Sequence, residues 1–362
     1  MQIDMSPNIQ ITNTENGILN FTLTGVNYSF ANAIRRTILS DINTVVFRTF
    51  PYEENKASFI KNTTRFTNEI LKQRLSCIPI HITDLDPEYI SNLQLVIEEE
   101  NNTDRIKYIT TEDFKIKDKQ TDRFISREDV SRIFPPNSIS NQYIDFARLM
   151  PSFTNDTNSE KLYVTCDFDI GNAGEDGMFN VTSTCSYSNT PDQNAINEKL
   201  YSEEFKSKSE LEIHNWEKLN SQKMFIDDSF DFIIESVGVF SNKYIVKKAL
   251  EVLISSVTEQ MENLQILESK NTLEHSHVIR LFNEDYTIGK IIEAILFEKY
   301  FNNPSEPVTF CSFKKNHPHD PDSEILIAFD HPMSTNDINN LLLNVKTEII
   351  HILESIANSF PE

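Results

Sequence analysis

The sequence predicts an α+β protein in which two related modules pair within one chain, the first of them interrupted by a mainly β insert. Three observations carry that prediction. Some stretches alternate apolar and polar residues as half-buried strands do, and others repeat apolar residues at helical spacing. In addition, a segment that begins at residue 27 recurs without gaps at residue 285. With 362 residues, 39% of them hydrophobic, the chain has enough apolar surface for two or more packed domains.

Taken in order, "GILNFTLTGV" at 17–26 alternates as a strand, and Ser29 is placed to cap a helix beginning at Phe30. At about 100° per residue, Phe30, Ala33, Ile34, Thr37 and Ile38 share one arc, while Asn32, Arg35, Arg36 and Leu39 occupy the other. One face packs, and the other presents two adjacent arginines. "TVVFRTF" and "ASFIKNTTRF" read as strands, and "NEILKQRLSCIPI" as a helix stopped by Pro79.

From about Asp84 the character changes. "LQLVIEEENNTDRIKYITTEDFKIKD" reads as a hairpin or meander around an acidic turn, and "KLYVTCDFDI" and "MFNVTSTCSYS" as further strands. Residues 188–223 are polar with few apolar anchors and read as a solvated connection with some helix. "SFDFIIESVGVF" is strand-like. Ser241 then precedes a long helical pattern through Ile245, Ala249, Leu250, Leu253, Val257, Met261 and Leu264. A short polar link near Glu268 to Asn271 leads to the strand-like "HVIRLF".

The recurrence follows. "DYTIGKIIEAIL" at 285–296 aligns with residues 27–38 at an offset of 285 minus 27, or 258. Asn27 matches Asp285, Tyr28 Tyr286, Ser29 Thr287, Phe30 Ile288, Ala31 Gly289 and Ile34 Ile292. Ile288, Ile291, Ile292, Ile295 and Leu296 rebuild the apolar arc, but Lys290, Glu293 and Ala294 stand where Asn32 and the arginines stood. The second copy continues through "PVTFCSF" and "SEILIAFDH" into a long helix from Ser334 with Ile338, Leu341, Leu342, Val345, Ile349, Ile352 and Ile356. Two such repeats suggest an intramolecular pseudo-dimer rather than a solenoid. The expected organisation is a first dimerisation module at 1–83 and 225–268, an insert with its polar connection at 84–224, and a second module at 269–362. Phe30, Ile34, Ile38, Ile288, Ile292 and Ile295 are expected to form the shared core.

Composition narrows the function. With 33 Lys and Arg against 55 Asp and Glu, the formal net charge is -22, which argues against wrapping nucleic acid or coating an anionic membrane. The favoured partner class is protein. Cys77, Cys166, Cys185 and Cys311 are too scattered for a structural zinc site. "MQIDMSPNIQ" lacks the features of a leader, and no stretch approaches about 20 uninterrupted apolar residues, so an intracellular, soluble protein with reduced thiols is expected. His275 with His277 and His317 with His319 are H-x-H pairs in polar, turn-like settings and read as solvated loops. Asp227 with Asp228 and Glu98 to Glu100 read as solvated surface. The chain has only seven glycines and no glycine-rich phosphate loop, G-x-S-x-G elbow or HExxH motif, so no catalytic residue or cofactor site is assigned.

"ANAIRRTILSDINTVVF", "NTTRFTNEILKQRLSCIPI" and "FDFIIESVG" resemble the third-largest subunit of RNA polymerase II, its archaeal equivalent D and, more distantly, bacterial alpha. "FNEDYTIGKIIEAIL" with "CSFKKNHPHDPDSEILIAF" resembles the smaller partner of that subunit, archaeal L, whose pattern is E-D-H-T-L-G-N followed by H-P. The resemblance covers most of residues 15–82, 162–187 and 225–358. It implies a non-catalytic scaffold on which the second-largest, beta-like and largest, beta'-like subunits of DNA-directed RNA polymerase assemble. It also implies contact with small zinc-bearing polymerase subunits, and no DNA sequence recognition or membrane contact of its own. Both partners would be fused here, an arrangement resembling that of large cytoplasmic DNA viruses, with work in the host cytoplasm and virion; otherwise the nucleus is expected.

The resemblance further implies that Arg35 and Arg36, with Asn32 beside them, dock the beta-like subunit, and extends this role to Glu69 and Arg74. Guanidinium groups suit the task, since their fixed donors match carboxylates and carbonyls and they shed water more readily than ammonium. The competing reading is that these residues pair with acids of the same chain. The sequence departs from the family in three ways. Only Cys166 and Cys185 fall in the β region where many relatives carry a cysteine cluster, so no metal is expected. Tyr286 and Lys290 replace the usual His and Asn, which puts a polar network at that helix start in doubt. "GNAGEDGMFNVTSTCSYS" matches the family loop only loosely, so its contacts are not carried over. A stand-alone acidic interaction module or regulator on the same fold is the alternative function.

Overall fold

The computed structural model describes residues 5–14, 17–151, 159–206, 208–269 and 272–360. The first four residues, and residues 270–271 of the expected polar link, lie outside them. The contacts divide the chain into two compact units, one of Met1–Ile38, Thr184–Glu235 and Asn242–Glu362, the other of Leu39–Ser183 and Ser236–Ser241.

The chain opens with β1 (Asn8–Asn13), β2 (Ile18–Thr24) and α1 (Tyr28–Ser40). Leu19, Phe21 and Leu23 are buried on one side of β2, as its alternation requires. At the turn into α1, Gly25 has φ +71°, and a Cβ there would lie 2.2 Å from the Ser6 carbonyl oxygen, so no other residue fits. Helix α1 begins two residues before Phe30, because Asn27 and not Ser29 is the cap. Asn27 Oδ1 accepts from the Ser29 N–H at 2.9 Å, and Ser29 is itself buried.

The second unit follows with β3 (Thr44–Val46), β4 (Ala57–Asn62), α2 (Asn68–Ser76), α3 (Pro87–Asn92), β5 (Leu93–Glu100), β6 (Lys107–Thr110), β7 (Lys115–Asp118), β8 (Arg123–Phe124), α4 (Arg127–Ile133), β9 (Asp145–Leu149), β10 (Lys161–Asp167) and β11 (Asp169–Gly171). A five-stranded sheet has the order β4-β10-β5-β7-β8, and β6 pairs with β9 and β11 with β3. The expected hairpin or meander at 93–118 forms with an excursion: β5 pairs antiparallel with β7, Leu93 with Asp118 and Val96 with Lys115, while β6 between them pairs with β9. Beyond Glu100 the fully buried Asn101 donates from Nδ2 to the Arg105, Leu149 and Met150 carbonyls at 2.8, 3.0 and 3.1 Å. These bonds turn the chain toward β9 before it returns along β5 as β7. Helix α2 ends at Ser76, ahead of Pro79, where Ser76 Oγ donates to the Phe47 carbonyl at 2.8 Å.

The expected boundary at 83/84 does not divide the structure. Val45, Phe47, Leu71 and Leu75 share one apolar cluster with Leu95, Ile97, Ile116, Phe146, Leu162 and Val164, and β4 pairs with β10. Residues 39–83 therefore fold with the insert, and residues 184–224, expected in the insert, fold with the first unit instead, where β12 lies beside β13.

The chain returns to the first unit with β12 (Thr182–Pro191), α5 (Gln193–Leu200), α6 (Glu203–Lys206), α7 (Glu210–Leu219), β13 (Phe225–Ser236) and α8 (Asn242–Glu262). It continues with β14 (Gln265–Glu268), β15 (Ser276–Leu281), α9 (Tyr286–Ile295), β16 (Val308–Lys314), β17 (Ser323–Phe329) and α10 (Thr335–Ser359). Leu264 lies beyond the end of α8 and is only half-buried, so it leaves the expected helical stripe.

Two four-stranded sheets share one topology. Their orders are β1-β2-β13-β12 and β14-β15-β17-β16. In each, the strand before the short helix (β2 or β15) pairs antiparallel with the strand before the long helix (β13 or β17). The long helices pack on one another, burying Leu250, Leu253 and Val257 of α8 and Leu342, Val345 and Ile349 of α10. Each such side chain contributes about 1.5–3 kcal/mol.

Candidate functional site

The arginine pair lies on α1, which caps itself at Asn27 and buries Phe30, Ile34 and Ile38 at 0–1% exposure. Ile288, Ile292 and Ile295 of α9 are buried as well, at 0–2%. With these apolar arcs facing inward, Asn32, Arg35 and Arg36 are left half-buried on the polar side of α1.

The two arginines have different surroundings. Arg35 donates from Nε and Nη2 to Asn32 Oδ1 at 3.1 and 2.8 Å, so its bonds among the described residues go to a neutral amide. It lies near Cys185 and Tyr187. Burial pushes the Cys185 thiol up to about 12 and the Tyr187 phenol upward, and Arg35 opposes both shifts.

Arg36 turns to the second repeat. Its Nε donates to Thr287 Oγ1 at 2.8 Å and its Nη2 to Asp285, with which it forms an ion pair. Here the competing sequence reading, pairing within the chain, describes what Arg36 does. A polar network thus exists at the start of α9 although Tyr286 and Lys290 depart from the family pattern. Tyr286 instead sits edge-on to Phe313, and Lys290 pairs with Glu293.

Glu69 and Arg74 belong to the other compact unit. Glu69 is exposed in the first turn of α2. Arg74, also exposed, donates from Nε to the Phe146 carbonyl at 2.7 Å and from Nη2 to the Asp145 carbonyl, so it ties α2 to β9.

Two features escaped the sequence reading. Glu298, in the π-helical turn that extends α9, is buried and accepts from Asn27 Nδ2 at 2.7 Å. Burial raises its carboxyl pKa, and the Asn27 bond opposes the rise. Arg48, read only as part of a strand-like run, donates to Asp169 and Glu175 at 2.7 Å each. Although burial opposes ionisation of Asp169, Arg48 and Lys56 hold its carboxyl below the usual range. The cleft beside them is lined by Phe50, Pro51 and Lys56, and its cations are paired with its acids. No sequence pattern marks either feature, since the partners are remote along the chain. His317 Nδ1 accepts from the His319 N–H at 3.1 Å, with both residues exposed. Among the described residues no three His, Cys, Asp or Glu side chains converge to hold a metal.

The model of the RNA polymerase Rpb3/Rpb11 dimerisation domain matches residues 20–257. That span runs from β2 through most of α8 and ends before the second repeat. The DNA-directed RNA polymerase subunit Rpo3 of Pyrococcus furiosus is 33% identical over 87 residues, which are 24% of this chain and 30% of that protein. The chain thus spans less than a third of the length of that relative. With most of its length matched and the α1 helix inside the match, the chain belongs to the family of the RNA polymerase Rpb3/Rpb11 dimerisation domain.

Proposed function

We propose that this chain is a non-catalytic scaffold subunit of a DNA-directed RNA polymerase, on which the second-largest, beta-like and largest, beta'-like subunits assemble. The carrying observation is that the matched dimerisation domain includes α1, where Arg35 is half-buried and bonded to a neutral amide. A guanidinium so placed offers its charge to a carboxylate of a partner. Asn32 and Arg35 lead the docking surface, with Arg36 beside them, and Glu69 and Arg74 of the other compact unit are proposed for the same role. Small zinc-bearing polymerase subunits are proposed as further partners.

The repeated sheet topology supports the reading that two ordinarily separate partners are fused here. Fusion raises their effective concentration and removes most of the association cost. A large DNA virus as source, with work in the host cytoplasm and virion, completes the proposal.

Affinity capture of the native tagged protein at moderate salt, with mass-spectrometric stoichiometry, tests it. Two very large chains at one copy each are expected. Recovery of the protein alone, or with unrelated partners, would overturn the proposal and put the stand-alone interaction module first.

A further inference from the structure

The short helices α1 and α9 begin alike. Asn27 Oδ1 accepts from the Ser29 N–H at 2.9 Å, and Asp285 Oδ1 accepts from the Thr287 N–H at 2.9 Å. These residues correspond at the offset of 258, as 27 to 285 and 29 to 287. Each cap residue then uses its other polar atom to reach the far part of the opposite repeat's short helix. Asp285 Oδ2 takes Arg36, whereas Asn27 Nδ2 donates to Glu298 Oε1 at 2.7 Å. The two crossings have opposite polarity: one helix start accepts, the other donates.

We infer that Asn27, Arg36, Asp285 and Glu298 form a pairing code that admits the two unlike repeats and rejects like ones. If two first repeats met in this arrangement, the Asn27 amide N–H would face the Arg36 guanidinium, donor against donor. If two second repeats met, Asp285 would face Glu298, acceptor against acceptor. Specificity is a difference between the right and wrong pairings, and a mismatched buried polar pair is an effective way to create one. The Glu298 crossing discriminates more strongly, because Glu298 is 8% exposed and its Oε2 has no partner among the described residues. A second carboxylate set there would be left without a compensating charge. Arg36 and Asp285 are about one-third exposed and better screened. The code thus favours closure of the chain on itself over pairing with the matching repeat of a second copy.

The inference rests on reading the repeats as partners within one chain, but not on the polymerase assignment. Its test is therefore a stability measurement on the isolated full chain, whose failure would leave the capture experiment standing. Asn27→Asp keeps the capping oxygen, and an aspartate at a helix start is by itself neutral or stabilising. It also sets a carboxylate against Glu298, as pairing of two second repeats would. The expected result is a melting temperature lower by about 2–4 °C. Adding Glu298→Gln, whose amide can donate to the new aspartate, should bring the double variant within about 1 °C of Glu298→Gln alone. An Asn27→Asp chain as stable as the wild type, or a double variant that keeps the loss, overturns the inference. Should Asn27→Asp alone yield no folded chain, the comparison of the double variant with Glu298→Gln still decides.

Discussion

Arg35→Ala and Arg36→Ala should behave differently although the residues are adjacent. Arg36 is bonded to Thr287 and Asp285, so its loss should lower the melting temperature by about 2 °C, a modest effect because the ion pair is partly exposed. Arg35→Ala should melt within about 1 °C of the wild type yet capture less of the large polymerase chains. Undiminished capture by Arg35→Ala would remove the docking role, and an Arg36→Ala chain that melts like the wild type would remove the inter-repeat bond. Glu298 supplies a pH test. Its folded pKa is raised by burial, so the folded state holds the proton more tightly than the unfolded one. Its contribution to stability is therefore highest below the ordinary carboxyl pKa of about 4.3 and falls as pH rises above it. Glu298→Gln should accordingly gain on the wild type between pH 4 and 7, read as a widening difference in melting temperature. A difference that stays constant over that range would mean that Glu298 is not desolvated.

At the scale of elements, Gly289 on α9 reverses an ordinary rule. Gly→Ala within a helix normally gains about 1 kcal/mol, but a Cβ at Gly289 would lie 2.0 Å from the Phe313 ring. Gly289→Ala should therefore lower the melting temperature, and a rise would show that β16 yields easily. Ile292→Asp should unfold or loosen the first unit, since Ile292 is 1% exposed and the charge would be buried unpaired. An unchanged melting temperature would count against the shared core. Both helices were legible because residues 30, 34 and 38, like 288, 292 and 295, fall on one arc. Strand partners were less so. Alternation tells which side of β5 is buried but not that β10 and β7 flank it. The boundary at 83/84 misled for the same reason, since composition changes there while β4 pairs across it with β10. The bonds of Arg36 to Asp285 and of Asn27 to Glu298 join residues 249 and 271 apart in sequence. The alignment of Asn27 with Asp285 pointed to matching positions, and only the fold gave each its partner.

At the scale of the whole molecule, a net charge of -22 and the proposed arginine-led docking surface should respond to salt with opposite signs. Like charges spread over a compact chain repel one another, and this self-repulsion lowers stability. Added salt shortens the screening length from about 10 Å at 0.1 M toward about 3 Å at 1 M, which weakens repulsion between surface carboxylates. The buried apolar stripes of α8 and α10 are indifferent to that screening, so the isolated chain should melt higher in 0.5 M than in 0.05 M sodium chloride. Capture of the large chains should weaken over the same range, because contacts from half-exposed guanidinium groups to partner carboxylates are screened and excess acid elsewhere adds nothing to hold them. A thermal melt and a capture series over the same salt steps read the two trends together. A capture that strengthens with salt would place the docking energy in apolar contacts rather than at Arg35, and the search for the interface would then move to exposed side chains such as Tyr28, which is 64% exposed at the start of α1.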